Sequence, residues 1–256
     1  MTLSTPSTPS ALPQRSLGLS GATNFRDLGG YAGHDGLQVR WGLLHRSDHL
    51  GNLTESDRAV LQGRQLLQVF DLRGSRERQS APCALPGAQV HSLAIEPTVI
   101  VRLMQHHRSG GQVTMAQAKL AMQQTYQGFV LNHSAQFRQL FNHLLTAEAP
   151  LVFHCTAGKD RTGMAAALVL HALGVTPSDV MHDYMQTNQF LKVQHAELPG
   201  VPPDVVAALN GVHEDYLTAA YEAIDQAHGG LEPYLHHSLG MGPRERELLR
   251  RRYLQA

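Results

Sequence analysis

The ten residues from His154 to Gly163 constrain this chain most, because they connect a predicted strand to a predicted helix. The apolar segment Leu151–Phe153 before them is typical of a short strand. An alanine- and leucine-rich run from Met164 to Leu173, followed by Gly174, is typical of a helix and its end. Backbone N–H groups at a helix start, together with the helix dipole, bind anions. The sequence therefore predicts an anion site at this loop.

The side chains of the loop indicate which anion it binds. Arg161 follows Cys155 with five residues between them, and its guanidinium offers a two-pronged donor for phosphate oxygens. A helix N-terminus favours the thiolate form of a cysteine, so Cys155 is the candidate nucleophile. These residues together predict phosphoryl transfer to cysteine. The expected phosphate-binding residues are Thr156, Ala157, Gly158, Lys159, Asp160 and Arg161.

Three other interpretations of the loop fit less well. A lone cysteine before a helix is commonly a small buried residue, but that does not explain the loop around it. A nucleotide-binding loop requires Gly-x-x-x-x-Gly-Lys-Ser/Thr, and here Phe153 and Asp160 occupy its first and last positions. A zinc site requires several Cys and His at ligand spacing, and Cys83 is the only other cysteine. We therefore expect no metal and no cofactor.

The pattern His-Cys-x5-Arg-Thr-Gly resembles the signature of the cysteine-dependent protein tyrosine phosphatase superfamily. The finer pattern Cys-x-x-Gly-Lys-Asp-Arg-Thr-Gly is similar to that of its atypical bacterial and fungal branch. Three more segments resemble that branch's motifs in the same order, and the resemblance covers roughly residues 20–185. These segments are Asn24–Tyr31, Leu43–Thr54 and Phe70–Glu77.

The alternation of strand and helix patterns predicts an α/β layer fold. The resemblance implies the tyrosine phosphatase fold, with a central, mostly parallel sheet flanked by helices. We expect a disordered tail over residues 1–15 and one phosphatase domain over 16–256. Within it, a helical insertion spans about 96–148 and a helical C-terminal part about 177–256.

Local patterns place the individual elements. Strands are predicted at Trp41–His45, Leu66–Leu72 and Val90–Ala94, and helix caps at Thr54, Ser134 and Ser178. The helical insertion has two interpretations, which the sequence leaves open. Its helices either pack against the sheet as part of the core, or form a mobile lid that hinges at Gly110–Gly111.

The proposed chemistry assigns roles to several side chains. Asp71 and Cys155 both follow predicted strands, so we expect them at the same edge of the sheet. The general acid is Asp160, which the resemblance favours, or Asp71, with Asp27 as a weaker candidate. His154 is expected to order the loop and Thr162 to hydrogen-bond the sulfur. Arg26 and Arg73 are expected to support the site. In the alternative interpretation of Asp27, it pairs with Arg26 and fixes the first loop.

The resemblance implies phosphorylated substrates of three kinds: phosphotyrosine, phosphoserine or phosphothreonine, and phosphoinositides. Lys159 adds positive charge to the loop, which favours polyanionic inositol head groups. A deep apolar pocket would instead favour phosphotyrosine. A non-catalytic protein that binds phosphorylated partners is the alternative, although such proteins commonly lose the nucleophile, the arginine or the acid.

Composition narrows the partners. Lys+Arg and Asp+Glu number 21 each, so the net charge is zero and gives no indication of nucleic-acid binding. No apolar run approaches the roughly 20 residues that span a membrane. Residues 1–14 are rich in Ser, Thr and Pro and do not resemble a secretory signal. Two cysteines, one of them needed as a thiolate, favour a reducing compartment. We expect the cytoplasm, with export without a cleaved signal peptide as the alternative.

Overall fold

The protein is built around a five-stranded sheet. A computed structural model describes residues 14–96, 98–192 and 200–256, with the side chain of Ile100 left out. The strand order is β1-β3-β6-β4-β5, where β1 runs antiparallel to β3 and the other pairs are parallel. A small antiparallel pair, β2 with β7, lies apart from it. The strands are β1 Arg26–Asp27, β2 Gln38–Val39, β3 Leu44–Ser47, β4 Gln68–Asp71, β5 Gln89–Ser92, β6 Leu151–His154 and β7 Leu254–Gln255.

Helices make up most of the rest of the described chain. They are α1 Glu55–Gly63, α2 Ser75–Ser80, α3 Thr98–Arg108, α4 Met115–Asn132, α5 Ser134–Thr146, α6 Asp160–Ala172, α7 Pro177–Met185, α8 Thr187–Phe190, α9 Pro203–Asn210, α10 Glu214–His228, α11 Leu231–Pro233 and α12 Pro243–Tyr253. None of these helices combines the length and apolar character needed to cross a membrane.

The central strand β6 shows why the sheet separates two parts of the core. Successive side chains of a strand point to opposite faces of the sheet. Leu151 and Phe153 accordingly belong to the larger hydrophobic cluster, which includes most of α6. Val152 belongs to the other cluster, which includes Leu61 of α1 and Val69 of β4. All four residues of β6 are buried, so the loop that follows begins at the centre of the fold.

The predicted strands are confirmed as β3, β4 and β5, within a few residues of their expected bounds. The predicted capping box at Thr54 is also confirmed. The predicted caps at Ser134 and Ser178 are wrong. Ser134 lies inside α5 and donates to Val130 O at 2.7 Å. Thr176 caps α7 instead, because Pro177 is well suited to the first helical position.

The predicted helical insertion corresponds to α3, α4 and α5. Leu103 of α3 packs on a small cluster that joins Val113 and Ala118 to Val205 of α9. Phe129 of α4 and Phe137 of α5 belong to the larger cluster with Phe153 of the sheet. This packing matches the core-packing interpretation for those two helices, and the hinged lid stays a prediction. Residues 1–13 of the expected tail lie outside the described residues. Arg15, at the end of that tail, lies over the Tyr31 ring at 4.0 Å.

Asp57 joins the N-terminal segment to α1, and its removal is expected to destabilise the fold. Its carboxylate accepts from the backbone N–H groups of Ser20 at 2.9 Å, Gly21 at 2.9 Å and Thr54 at 3.0 Å. Asp57→Ala should lower the free energy of unfolding in urea by about 2–3 kcal/mol, because charged hydrogen bonds contribute more than neutral ones.

The pH dependence and a control test this assignment. Burial raises the pKa of Asp57, but these hydrogen bonds outweigh it and lower the pKa below its ordinary value. The difference between wild type and Asp57→Ala should therefore be present at neutral pH and shrink as the pH falls below about 4. Asp179→Ala, at the same position of α7, removes a carboxylate bound to the Thr176 hydroxyl and should cost about 1 kcal/mol or less. Equal losses would contradict the assignment.

Candidate active site

Three parallel strands end together beneath the loop. Ser47 of β3 and Asp71 of β4 both pair with His154, the last residue of β6. The loop therefore leaves the sheet at its carboxyl edge, where open α/β sheets bind ligands. Gly158 has φ +66°, and a Cβ there would collide with the backbone of Ser47 and Asp48. Only glycine lets the loop lie this close to β3.

The carbonyl groups of the loop are bonded from outside, one after another. Leu72 N donates to His154 O at 2.8 Å, and the His154 ring, through Nδ1, donates to Cys155 O at 3.0 Å. Three further donors serve the next three carbonyls. They are His49 N to Thr156 O at 3.0 Å, Asn24 Nδ2 to Ala157 O at 2.9 Å, and Arg46 Nη2 to Gly158 O at 2.8 Å.

This arrangement determines where the N–H groups of the loop point. A peptide unit directs its N–H opposite to its C=O, so carbonyls held outward turn the N–H groups inward. The N–H groups of residues 156–159 donate to no acceptor among the described residues. Consecutive inward N–H groups form an anion-binding concavity. The orientation of these N–H groups thus depends on the surrounding donors as much as on the loop sequence.

A buried charge cluster holds the donor Arg46. Asp183 of α7 accepts from Arg46 Nη1 at 2.6 Å and from Arg26 Nε at 3.2 Å, and all three side chains are fully or almost fully buried. Burial and the neighbouring Arg46 lower the pKa of Arg26 to about 10, which keeps it charged. Arg26 also donates to Asn24 O at 3.2 Å. The cluster thus supports the donors of both Ala157 O and Gly158 O.

The alternative interpretation, in which Asp27 pairs with Arg26, is wrong. Adjacent strand residues point to opposite faces, and Arg26 turns to Asp183. The Asp27 carboxylate accepts from Gly29 N at 2.7 Å and Gly42 N at 2.6 Å. It lies 3.5 Å from His45 Nε2. Asp27 therefore fixes the turns on either side of β2, away from the loop.

The Glu77 carboxylate holds Arg161. Glu77 ends the Phe70–Glu77 motif, and its role is not evident from the sequence. Glu77 Oε2 accepts from Arg161 Nη1 at 2.7 Å and Oε1 from Nη2 at 2.8 Å. Ile95 O accepts a second hydrogen of Nη1 at 3.1 Å. These contacts use three of the five N–H groups of a guanidinium. The Nε–H and one Nη2–H remain, and they form the side-on fork that suits a phosphate.

The Glu77 carboxyl is ionised across the pH range in which the enzyme would be assayed. Burial alone would raise its pKa, but the hydrogen bonds and charge of Arg161 lower it to about 2. Glu77 also accepts from the Thr156 hydroxyl and from Gly74 N. Two sequence signals could have identified it: its place at the end of the Phe70–Glu77 motif and its place in the third position of α2.

Asp71 lies behind the loop, bound on both oxygens by Arg73. Arg73 Nη2 donates at 2.7 Å and Nε at 2.9 Å, and the Asp71 side chain is 1% exposed. Burial raises the pKa of Asp71, but these bonds outweigh it and lower the pKa below its ordinary value. His154 Nε2 lies 3.7 Å away, and burial lowers the pKa of His154, which keeps the ring neutral. Asp71 and Arg73 thus form a buried ion pair beside the His154 ring, whose Nε2 has no hydrogen-bond partner among the described residues.

Asp160 lies at the start of α6 and is partly exposed. Its Oδ1 accepts from the Tyr126 hydroxyl at 3.0 Å, and its Oδ2 lies 3.5 Å from Lys159 Nζ. Cys155 is 2% exposed. Burial lowers the pKa of Arg161, but the hydrogen bonds and charge of Glu77 outweigh it and raise the pKa above its ordinary value. The Cys155 thiol, the Arg161 guanidinium and the Asp160 carboxylate therefore all belong to the segment that joins β6 to the first turn of α6.

Two predicted contacts take another form. The Lys159 ammonium donates to Leu209 O and Gly211 O at the end of α9, rather than extending over the loop. The Thr162 hydroxyl is buried and has no partner among the described residues, including the Cys155 sulfur. No group of three or more His, Cys, Asp or Glu placed to hold a metal occurs in the described part of the chain.

A sheet whose central strand leads into this cysteine- and arginine-bearing anion loop defines a phosphate-handling enzyme. Known proteins specify the class. The sequence profile of the tyrosine phosphatase family matches residues 17–255, and the chain belongs to that family. The protein is therefore a phosphatase, a hydrolase that acts on phosphorylated substrates.

Relatives along most of the chain carry related names. A protein of Cupriavidus necator, provisionally named a tyrosine-protein phosphatase, is 33% identical, covering 91% of this chain and 88% of its own. The triple specificity protein phosphatase PtpB of Mycobacterium tuberculosis is 32% identical, with 85% and 91% covered. Among solved structures, TpbA of P. aeruginosa is 18% identical with a TM-score of 0.32, covering 72% of this chain and 89% of TpbA.

Glu77→Gln should weaken phosphate binding, because a neutral amide no longer fixes the guanidinium of Arg161. We expect kcat/KM to fall about 10- to 100-fold, as small misplacements of catalytic groups have such effects. The inhibition constant of inorganic phosphate should rise in parallel. With a Glu77 pKa of about 2, the loss should be the same at every pH from 5 to 8.

The matched control is Glu247→Gln, which removes a surface Glu–Arg pair of α12 and should leave kcat/KM unchanged. Higher activity of Glu77→Gln would mean that the carboxylate competes with the substrate for Arg161, and would contradict this positioning role.

Proposed function

We propose that this phosphatase hydrolyses phosphotyrosine through a cysteinyl-phosphate intermediate. The observation that carries the proposal is the set of five carbonyls held outward, which turns the loop N–H groups toward one point. The side-on fork of Arg161 supplies two more donors beside the Cys155 thiol. Such preorganised donors stabilise the charge of a transferring phosphoryl group without reorganisation.

The first step transfers the phosphoryl group to sulfur. The Cys155 thiolate attacks phosphorus in line with the leaving oxygen, so that the S–P bond forms as the P–O bond breaks. The general acid gives its proton to the leaving phenolic oxygen, which departs as neutral tyrosine. The loop amides and Arg161 hold the three equatorial oxygens throughout.

The second step restores the enzyme. The ionised general acid now takes a proton from a water, which attacks phosphorus while the S–P bond breaks. Inorganic phosphate leaves, and the thiolate and the protonated acid are regenerated. Splitting the displacement in two is the usual advantage of a covalent intermediate.

Asp160 is the better general acid of the two strongest candidates. It belongs to the loop itself, and its side chain is 22% exposed. Asp71 is 1% exposed, and both of its oxygens accept from Arg73. A group so bound is kept ionised and turned away from the leaving oxygen. We assign Asp71 to holding the Arg73 side chain.

The burial of the site favours a long substrate. Cys155 is 2% and Arg161 6% exposed, so the phosphate must be carried inward by an extended side chain. Phosphotyrosine is longer than phosphoserine or phosphothreonine by an aromatic ring. A phosphoinositide would gain from the Lys159 charge only after Lys159 released the α9 carbonyls. The name of the triple-specificity relative supports turnover of more than one substrate class.

Asp160→Asn should remove the alkaline limb of the pH–rate profile on phenyl phosphate, whose leaving group needs a proton. The rate at neutral pH should fall about 100-fold or more, the usual contribution of a general acid. Asp71→Asn is the comparison, and should lower the melting temperature while keeping the alkaline limb. The assignment is reversed if the limb persists in Asp160→Asn and disappears in Asp71→Asn.

Cys155→Ser should abolish turnover of a phosphotyrosine peptide, whereas Cys83→Ser, which changes the other cysteine, should keep it. We expect kcat/KM for the phosphotyrosine peptide to exceed that for a phosphoserine peptide and for a soluble phosphoinositide. A Cys155→Ser variant that turns over the peptide at the wild-type rate would contradict the covalent mechanism. A higher kcat/KM for the phosphoinositide would overturn the substrate order and leave the mechanism standing.

A further inference from the structure

Two tyrosines from different helices meet the Asp160 carboxylate in a short chain of hydrogen bonds. The Tyr126 hydroxyl of α4 lies 3.0 Å from Asp160 Oδ1 and 2.7 Å from the Tyr184 hydroxyl of α7. Tyr126 and Tyr184 are 0% and 1% exposed. Neither tyrosine belongs to the loop, and the mechanism above uses neither of them.

The direction of the bonds follows from the donors available. An ionised carboxylate can only accept, and each hydroxyl carries one proton. Tyr126 therefore donates to Asp160, and Tyr184 donates to the oxygen of Tyr126. Burial raises the pKa of both tyrosines well above the ordinary value, so both keep their protons at any working pH.

Packing fixes the two rings in place. A Cβ at Gly163, in the first turn of α6, would lie 2.9 Å from the Tyr184 ring, so that ring rests directly on the helix backbone. The Tyr126 ring lies 5.4 Å from Phe129 and 6.0 Å from Tyr216, centroid to centroid. Both hydroxyls are thus held rigidly, as the support of a catalytic group requires.

We propose that Tyr126, backed by Tyr184, is a positioning residue that fixes Asp160 Oδ1 and leaves Oδ2 to deliver the proton. The proposal rests on the role of Asp160 as the general acid. With Oδ1 held by the Tyr126 hydroxyl, the acid proton is carried by Oδ2, and the carboxyl cannot rotate away from the leaving oxygen. Because Tyr126 belongs to α4, the helical insertion takes part in the proton transfer.

A pair of substrates separates positioning from mere stability. Phenyl phosphate needs a proton on its leaving oxygen, whereas 2,4-dinitrophenyl phosphate leaves readily without one. Tyr126→Phe should lower kcat/KM for phenyl phosphate about 10-fold and for dinitrophenyl phosphate less than about twofold. Tyr184→Phe should give a smaller change of the same kind.

The pH–rate profile gives a second readout. The charged groups facing Asp160 are Lys159 and Arg161, and both remain in the variant. The tyrosines near Asp160 are Tyr126, Tyr184 and Tyr216. Removing the Tyr126 donor disfavours the ionised carboxylate, so the alkaline limb for phenyl phosphate should move to higher pH.

Tyr216→Phe is the matched control. Its hydroxyl is also buried but donates to Ala208 O at 3.1 Å, so its loss should leave the substrate ratio and the alkaline limb unchanged. Equal losses on both substrates in Tyr126→Phe, or the same pattern in Tyr216→Phe, would overturn the proposal. Melting temperatures of all variants show whether a loss reflects unfolding.

Asp160→Asn distinguishes failure of this proposal from failure of the proposed function. If Asp160→Asn loses activity selectively on phenyl phosphate while Tyr126→Phe does not, only the positioning role is wrong. If the loss in Asp160→Asn does not depend on the leaving group, Asp160 is not the general acid. Tyr126 and Tyr184 then position no catalytic group.

Discussion

The site depends on one constraint: successive loop carbonyls must bond to donors other than the N–H groups of the loop itself. A buried carbonyl or N–H without a partner is costly, so a loop with all its N–H groups on one side is not stable by itself. Here backbone and side-chain donors satisfy the carbonyls from His154 to Gly158. The N–H groups are thereby held ready for an anion, and the cost of orienting them is met during folding.

The most demanding of these donors is Arg46, since its charge lies inside the protein. Its partner Asp183 is shared with Arg26, which places two guanidinium groups around one carboxylate. Burial raises the pKa of Asp183, but the two arginines outweigh it and lower the pKa below its ordinary value. Removing one partner of a buried pair typically costs about 3–5 kcal/mol. The fold therefore buries three charged side chains, and this cluster holds Arg46 where it donates to the Gly158 carbonyl of the loop.

Much of the site could be predicted from the sequence because its main functional residues lie in one continuous segment. Cys155 and Arg161 lie in one loop between a strand and a helix, so local patterns place both. The partners that hold them could not be predicted in the same way. Glu77, Asp183 and Tyr126 reach the loop from distant segments, and no periodicity or propensity marks a tertiary contact.

The errors have the same origin. The alternative interpretation paired Arg26 with its neighbour Asp27, but successive strand residues face opposite sides and the nearest opposite charge on its own side is Asp183. Lys159 was expected to face the phosphate, and instead its ammonium meets the carbonyls that end α9. In both cases a long side chain bonds to a group that is distant in the sequence and close only in the folded protein.

The most direct test is a crystal structure of the protein with vanadate, a mimic of the transferring phosphoryl group. The account predicts vanadium bonded to the Cys155 sulfur, with its oxygens on the loop N–H groups and on Arg161 Nε and Nη2. Glu77 should stay on the other edge of the guanidinium, and the loop backbone should keep its present course. Vanadate that displaces Glu77, or that binds away from Cys155, would contradict the account.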